Sequence, residues 1–360
     1  MPLSLETTMK VEAIKDERVK VVRHGHLTET VAVVNGLGGC GKSLLAAIVG
    51  SLARVELMKY NYHLEHVCML RYLNLLDADT AASLVKNYTD LDLYNLMMSR
   101  ETNFRPTDVS SVKMSVHAWR YVRRLLLPEG QAAVERIPRE HPILHLITHH
   151  LLGISSPLFD GLGERLRFIE VVRHPLYMIK QWYHWMPSVG THPRVFTLRF
   201  EYDGQPLPWF ARGWEELYLR SGSMDRVIYG LSNQIALGER VWQHISEAQR
   251  KHVLVIPFEQ FVVRPDPFLT QLEVFLGTHR IPATRWVMKK QCVPRKMFAE
   301  GIGLWIYRRC GWEPPAKDSD ERTELAERRR YAAEHATPAA MEELDRLSRT
   351  YEETYMRGLL

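Results

Sequence analysis

The stretch 31–49 limits the possible folds more than any other part of the chain. Four apolar residues, Val31 to Val34, precede the glycine-rich segment GLGGCGKS at 36–43, and the helix-forming run LLAAIV follows directly. This order of buried strand, glycine turn and helix start fits G-x-x-x-x-G-K-[ST] at every fixed position. The turn's N–H groups, the positive end of the helix dipole and the Lys42 ammonium would converge on one anion. The stretch therefore predicts a phosphate-binding loop.

Short apolar runs at 143–150, 167–172 and 253–256 predict strands covered on both faces. Helical spacing at 81–99, after Pro175, at 227–245 and at 268–276 places helices between them. This alternation predicts an α/β fold of the P-loop nucleoside triphosphate hydrolase type, a three-layer α/β/α sandwich with a central parallel sheet.

Three local features are predicted less directly. The helix that starts at Lys42 is expected to run to about Met58, and the apolar run 66–70 is expected to be a strand. One amphipathic helix is predicted over 112–127. Its apolar stripe, which should face the core, consists of Val116, Trp119, Val122 and Leu126.

The predicted organisation is a polar N-terminal arm at 1–28 followed by a single domain at 29–360. Within this domain, 187–225 is expected to be an insertion that contains a hairpin near 196–207. Residues 316–360 are expected to form a charged, helical C-terminal region. The charge run at 316–333 is interpreted as a solvated helix face or a linker rather than a binding patch.

Composition favours an anionic small-molecule ligand. The formal net charge of +5 suits such a ligand but is too diffuse to argue for nucleic acid. The four cysteines form no CxxC pair and lack metal-type spacing, which disfavours a zinc site and fits a reducing compartment. Since neither an apolar leader nor a window of about 18 apolar residues is present, we expect a cytoplasmic protein without a membrane span.

Three later stretches resemble the sulfotransferase family. Residues 168–179, FIEVVRHPLYMI, are similar to its strand, Arg-x-Pro and helix element, and 253–277, VLVIPFEQFVVRPDPFLTQLEVFLG, resemble its strand, Glu and Phe-Leu-Gly signature. The segment LITH at 146–149 is similar to its strand that ends in Thr-His. Together with the loop, these stretches follow the family's order over roughly 30–280. The resemblance implies a sulfotransferase that uses 3′-phosphoadenosine 5′-phosphosulfate (PAPS) as its donor and needs no metal.

The resemblance also implies roles for individual residues. Arg173 would grip the 3′-phosphate of PAPS, and Lys42 would hold the 5′ side and stabilise the leaving phosphate. His149 would be the base that takes the proton of the acceptor, with His150 as the next candidate. The predicted catalytic residues are His149 and Lys42. The predicted donor-binding residues are Gly38, Gly39, Cys40, Gly41, Lys42, Ser43, Leu44, Arg173, Gln181, Arg295 and Lys296.

The loop departs from the family pattern, and this keeps alternatives open. The cation expected two residues before Gly41 is replaced by Gly39, Lys42 stands where a threonine is usual, and Gln181 replaces a serine. One alternative is a P-loop kinase that uses ATP and Mg²⁺, although the nearest candidate for its aspartate-ending strand, 75–77, is interrupted. Another is a non-catalytic nucleotide-binding protein. The acceptor, a small molecule or a saccharide, and the oligomeric state stay open.

Overall fold

A computed structural model describes residues 19–189, 191–303, 307–308, 312–317 and 319–359. The first 18 residues of the predicted arm, Cys310, and positions 318 and 360 of the predicted C-terminal region lie outside these ranges. The described end of the arm is held by Asp90, whose carboxylate accepts bonds from the Arg23 side chain and the Thr28 N–H.

The central sheet places the glycine-rich loop in the middle of the fold. Its five strands run in the order β2-β3-β1-β4-β7 and every neighbouring pair is parallel. A separate antiparallel hairpin is formed by β5 and β6. The strands are β1 (Thr30–Gly36), β2 (Lys59–Tyr60), β3 (Ile143–Ile147), β4 (Leu166–Val172), β5 (Arg199–Tyr202), β6 (Gln205–Pro208) and β7 (Val253–Pro257). The predicted α/β class with a central parallel sheet is confirmed.

Burial along β1 shows that both faces of the sheet are covered. Val31 to Val34 are all 0 % exposed, although successive side chains of a strand point to opposite faces. The helices of the described ranges are α1 (Lys42–Val49), α2 (Tyr62–Tyr72), α3 (Ala78–Met97), α4 (Ala118–Arg124), α5 (Gln131–Glu140), α6 (Ser156–Leu162), α7 (Pro175–Trp185), α8 (Glu215–Arg220), α9 (Ser223–His244), α10 (Glu247–Arg250), α11 (Phe258–Val263), α12 (Pro265–Leu276), α13 (Pro282–Lys290), α14 (Glu321–Ala333) and α15 (Pro338–Tyr355). No helix in the described ranges has the length and apolarity needed to cross a bilayer.

Two local predictions are wrong. Helix α1 ends at Val49 because Gly50 caps it, its N–H bonding the Ala46 carbonyl. The apolar run at 66–70 lies in α2 rather than in a strand. The Asn61 side chain caps this helix by accepting from the Leu64 N–H, and the packing of α2 against α3 accounts for the buried run.

The predicted helix at 112–127 is broken, and its apolar stripe faces solvent except at Val116, which packs against the core. A 3₁₀ turn (Val112–Met114) precedes the short α4, in which the buried residues are Tyr121 and Arg124. Both bond the buried Glu56: Arg124 Nη1 lies 2.7 Å and the Tyr121 hydroxyl 2.8 Å from its Oε2. Because a buried carboxylate needs charged partners, its ion pair turns the polar side of α4 inward. Trp119 is left 75 % exposed.

The charged C-terminal region packs on the carboxyl ends of β4 and β7. The Tyr351 hydroxyl of α15 donates to Glu259 and bonds the Val172 carbonyl at 3.3 Å. In α14, Arg328 lies over the Tyr177 ring at 4.4 Å, and Glu321 accepts from the Tyr177 hydroxyl at 2.7 Å. The linker interpretation of 316–333 is therefore wrong for this helix, whereas its outer side, which includes the exposed Arg322, Glu327 and Arg330, is the predicted solvated face.

Candidate active site

The glycine-rich loop joins β1 to α1 at the carboxyl edge of the parallel sheet, where ligands of α/β proteins bind. Gly41 caps α1 in the left-handed region with φ of 91°, and Gly39 has φ of 84°. A Cβ atom at Gly41 would lie 2.1 Å from the Phe258 ring. Only glycine fits there, so the sharp turn of the loop requires the glycine at position 41.

Lys42 is held beneath this loop. Its side chain is 5 % exposed, and its Nζ donates to the carbonyls of Gly36 at 3.1 Å and Leu37 at 3.2 Å. These partners carry no net charge, so the positive charge remains available to an anion bound at the helix start.

A cavity of about 270 Å³ opens over the loop. Among the described residues that line it, Glu300 is the only carboxylate, while the cations number five. They are Lys42, Arg173, Lys180, Arg295 and Arg328. We call this space the cationic cavity; the aromatic side chains of Tyr307 and Trp312 complete part of its wall.

Arg173 is fixed in place before any ligand binds. Its guanidinium lies 4.3 Å from the centre of the Phe258 ring and 4.8 Å from that of Tyr177, and its Nη1 donates to the Gly39 carbonyl at 2.8 Å. Burial lowers the pKa of Arg173 from its usual value, although an arginine stays charged at neutral pH. Its Nε also lies 3.8 Å from the buried Glu259 Oε1, so the guanidinium is held in one orientation and its remaining N–H groups are available to an anion.

Arg295 adds a second half-buried charge beside the first. Burial, followed by the positive charge of Arg173, lowers the pKa of Arg295 to about 10. Its guanidinium donates to the Cys292 and Phe298 carbonyls and lies 5.4 Å from the Phe258 ring centre. Two half-buried arginines on one aromatic ring repel each other, so a bound polyanion would relieve this repulsion.

His149 follows β3 and is paired with Glu65 of α2. Glu65 Oε1 lies 2.9 Å from the imidazole Nδ1 and also accepts the His149 backbone N–H at 3.0 Å. When this oxygen accepts from Nδ1 as it does from the backbone N–H, Nδ1 carries the ring proton and Nε2 is the nitrogen that can take up another.

The pKa values of the pair are shifted in opposite directions. Burial raises the pKa of Glu65 to about 8. Burial, helped by the Lys42 charge, lowers the pKa of His149 well below its ordinary value. The imidazole is therefore neutral at neutral pH, as a general base must be.

A second cavity, of about 340 Å³, lies on the other side of His149. Aromatic side chains dominate its wall, and we call it the aromatic cavity. They are Tyr62, Trp182, Trp185, Phe196, Trp209 and Phe210. Gly38, His149 and Gln181 line both cavities. His149 thus stands at the boundary between a site for an anion and a site for a flat or apolar molecule.

His150 is placed differently from His149. Its ring centre lies 5.0 Å from that of Trp182 and 6.2 Å from that of Trp185, and its Nδ1 is buried without a hydrogen-bond partner among the described residues. It lines the aromatic cavity but not the cationic one. Of the two candidate bases, the geometry favours His149.

Most of the predicted site residues come together, and two do not. The residues that line the cationic cavity are Gly38, Gly39, Gly41, Lys42, Ser43, Leu44, His149, Arg173, Gln181 and Arg295. Cys40 is 1 % exposed and faces a different cavity of about 500 Å³ behind the loop. Lys296 is exposed and outside the wall of the cationic cavity. Asp77, considered for a metal-binding strand, instead caps α3.

Sequence reasoning missed Glu65, Lys180 and Arg328. Lys180 lies one helical turn after Tyr177 and beside Gln181 on α7, so helix spacing was a usable signal for it. Glu65 is 84 residues from His149, and Arg328 lies in a charge run, so neither carries a local signal.

No protein-family model and no curated protein matches the chain. Among solved structures it is similar to the sulfotransferase domain of the Synechococcus PCC 7002 olefin synthase. The two are 15 % identical with a TM-score of 0.38, over 92 % of this chain and 97 % of the other. A similarity this low carries no argument about function, which must come from the site.

Proposed function

We propose that the protein is a sulfotransferase that moves a sulfonate group from PAPS to a hydroxyl or amine of a small-molecule or saccharide acceptor. The observation that carries the proposal is the position of His149, paired with Glu65, between the cationic and the aromatic cavity. A transferase needs a base at the boundary between its donor and acceptor sites.

The cationic cavity suits a donor with anionic groups at two places. The loop N–H groups and Lys42 form one positive region at the start of α1, which we assign to the 5′-phosphosulfate. Arg173 and Arg295 form the other, on the Phe258 ring, which we assign to the 3′-phosphate. Arg328, whose guanidinium is paired with Glu324, extends this region.

The proposed reaction is a single in-line displacement at sulfur. The acceptor oxygen or nitrogen forms a bond to sulfur while the bond from sulfur to the bridging phosphate oxygen breaks. The acceptor's proton passes to Nε2 of His149, and the electron pair of the broken bond leaves with adenosine 3′,5′-bisphosphate. Lys42 stabilises the charge that develops on the leaving phosphate. Written this way, the transfer needs no metal.

The aromatic cavity is the proposed acceptor site. The Tyr62 ring in its wall lies nearly parallel to the His149 imidazole, at 6.3 Å between ring centres. Flat aromatic walls accept a phenol or the apolar face of a sugar equally well.

Three described cysteines, Cys40, Cys68 and Cys292, are free thiols, which supports our proposal of a cytoplasmic location.

Thermal-shift measurements with adenosine 3′,5′-bisphosphate, ADP and ATP, each with and without Mg²⁺, test the donor. We expect the bisphosphate to stabilise the protein most, without dependence on Mg²⁺. A larger shift with ATP and Mg²⁺ would instead support a kinase and contradict the proposal.

A second measurement separates catalysis from binding alone. Release of adenosine 3′,5′-bisphosphate from PAPS is followed with a panel of phenol and saccharide acceptors, for the wild type and for His149→Ala. Bisphosphate binding without any His149-dependent turnover would indicate a non-catalytic nucleotide-binding protein.

A further inference from the structure

Helix α4 exposes the apolar stripe that its sequence pattern would place in the core. Trp119 and Val122 lie one turn apart on it, and Leu126 continues the same side just beyond its end. Trp119 is 75 %, Val122 37 % and Leu126 85 % exposed, and the adjacent Leu125 is 56 % exposed. Monomeric soluble proteins rarely expose so many large apolar side chains in one place.

Helix α13 exposes a second tryptophan next to cations. Trp286 is 57 % exposed, and Lys290 Nζ lies 5.1 Å from the centre of its ring. Arg285 and Lys289 are exposed on the same helix, whose buried residues are Thr284 and Val287.

Both helices contact the segment that follows α1, and we take their exposed sides together as one surface. Thr284 Oγ1 of α13 donates to the Ser51 carbonyl at 3.1 Å. Arg120 of α4 donates to the Val55 carbonyl at 3.0 Å, and Lys290 Nζ lies 4.0 Å from Sδ of Met114, just before α4. Their exposed sides form what we call the tryptophan face. Its principal residues are Trp119, Arg123, Leu126, Trp286, Lys289 and Lys290.

The charge of the tryptophan face is positive and largely uncompensated. Within the described ranges, Arg123, Lys289 and Lys290 form no salt bridge, whereas the acids nearby are already paired. Those pairs are Glu56 and Glu140 with Arg124, and Glu129 with Arg100. The surface therefore combines large apolar side chains with free positive charge.

We propose that the tryptophan face docks the protein on an anionic phospholipid surface. Exposed tryptophan and leucine side chains can enter the interface between headgroups and acyl chains, while lysine and arginine bind anionic headgroups. A nucleic acid would use the cations but has no use for an aliphatic side chain such as Leu126, so the combination favours lipid.

His149 lies at the opposite end of β3 from Val55, which bridges to Ile143, the first residue of that strand. Trp286 and Lys290, in contrast, line a cavity of about 70 Å³ whose wall includes Ser43 and Tyr307, and these two residues also line the cationic cavity. Vesicle binding tests the lipid proposal and bisphosphate binding tests the proposed function, so the failure of one can be told from the failure of the other.

Co-sedimentation of the full chain with vesicles tests the proposal. Vesicles of phosphatidylcholine alone are compared with vesicles that contain about 30 % phosphatidylserine. We expect binding to the anionic vesicles that is at least about tenfold stronger and falls with added salt, because each cation near such a surface contributes several-fold. Tryptophan emission should shift to shorter wavelength on binding.

Two variants and two matched controls locate the binding surface. Trp119→Ala/Leu126→Ala and Lys289→Glu/Lys290→Glu should each reduce binding at least about tenfold. Trp242→Ala, which removes another exposed tryptophan, and Lys251→Glu/Arg357→Glu, which makes the same charge change away from the face, should not. Unchanged unfolding midpoints and bisphosphate affinity show that each variant is folded.

The proposal is overturned if the wild type does not bind anionic vesicles, or if both face variants bind as well as the controls. Self-association that Trp119→Ala/Leu126→Ala abolishes, without vesicle binding, would likewise overturn it, since the face would then be an interface between copies of the chain.

Discussion

The cationic and aromatic cavities meet at His149 but are built in different ways. The cationic cavity is formed around one short stretch, the loop and the start of α1. Residues of α7, residues 295–301 and Arg328 of α14 add to its wall. The aromatic cavity has no such centre. Its walls come from α2, α7, residues 192–197 and residues 209–210.

The two cavities also differ in how rigidly their side chains are held. Arg173 is clamped between two rings and a carbonyl oxygen, and Lys42 is held by two carbonyls. At the mouth of the aromatic cavity, His192 and Arg194 are exposed and Phe196 is 56 % exposed. The comparison teaches that the cationic cavity is preorganised, whereas the proposed acceptor site is open to solvent at its mouth.

The largest expected effect lies at the boundary between the cavities. His149→Ala should lower kcat by about 10²–10⁴-fold, because it removes the proposed base, and leave bisphosphate affinity within a few-fold of wild type. Steady-state kinetics and titration with bisphosphate measure both. His150→Asn is the matched control, since asparagine tolerates the positive φ of 59° at that position. If His150→Asn loses more activity than His149→Ala, the base is assigned to the wrong histidine.

The next effect concerns only the cationic cavity. Arg173→Ala should weaken bisphosphate binding by about a hundredfold, because it removes a preorganised charged fork. Arg173→Lys keeps the charge but loses the fork, so its affinity should fall in between. Isothermal titration calorimetry measures the dissociation constants of the bisphosphate. Lys296→Ala should bind like the wild type, because this lysine lies outside the cavity wall. Bisphosphate binding that survives Arg173→Ala would refute the 3′-phosphate assignment.

A smaller effect is expected from Glu65, which lines the aromatic cavity and contacts the proposed base His149. Above pH 8, where Glu65 is ionised, Glu65→Gln should lower kcat by about tenfold with little change in KM, because glutamine still accepts from Nδ1 but cannot carry the charge that stabilises a protonated imidazole. Since the pKa of Glu65 is raised to about 8, the wild-type rate should rise as pH increases through 8 and Glu65 ionises. A pH–rate profile of Glu65→Gln should lack this rise. A rise that persists would show that another group titrates.

The smallest expected effect is the change in activity between neutral and mildly acid pH. Because the pKa of His149 is lowered, its neutral form persists below pH 6.5, so the contribution of His149 to kcat/KM should change little between pH 7.0 and 6.0. A histidine with the ordinary pKa near ~6.5 would lose about threefold over this range. The Glu65→Gln profile isolates this contribution. A threefold loss in that variant would mean that His149 is more solvated than its surroundings indicate.

The sequence alone determined those features that local physics controls. The loop could be predicted because its glycines and the lysine at the helix start form a recognisable motif within a few residues. The strands could be predicted because buried parallel strands are short apolar runs. The helix boundary at Gly50 and the helical state of 66–70 were missed, since an apolar run fits either structure until its packing is known.

Only the tertiary structure decided which polar groups meet. The Glu65–His149 pair spans 84 positions, and Arg328 lies in the C-terminal region, far along the chain from Tyr177. No local sequence pattern therefore predicts either contact. The exposed stripe of α4 has the same origin. Its periodicity predicts burial, but the buried Glu56 needs Arg124 and Tyr121, and satisfying that carboxylate turns Trp119 toward solvent.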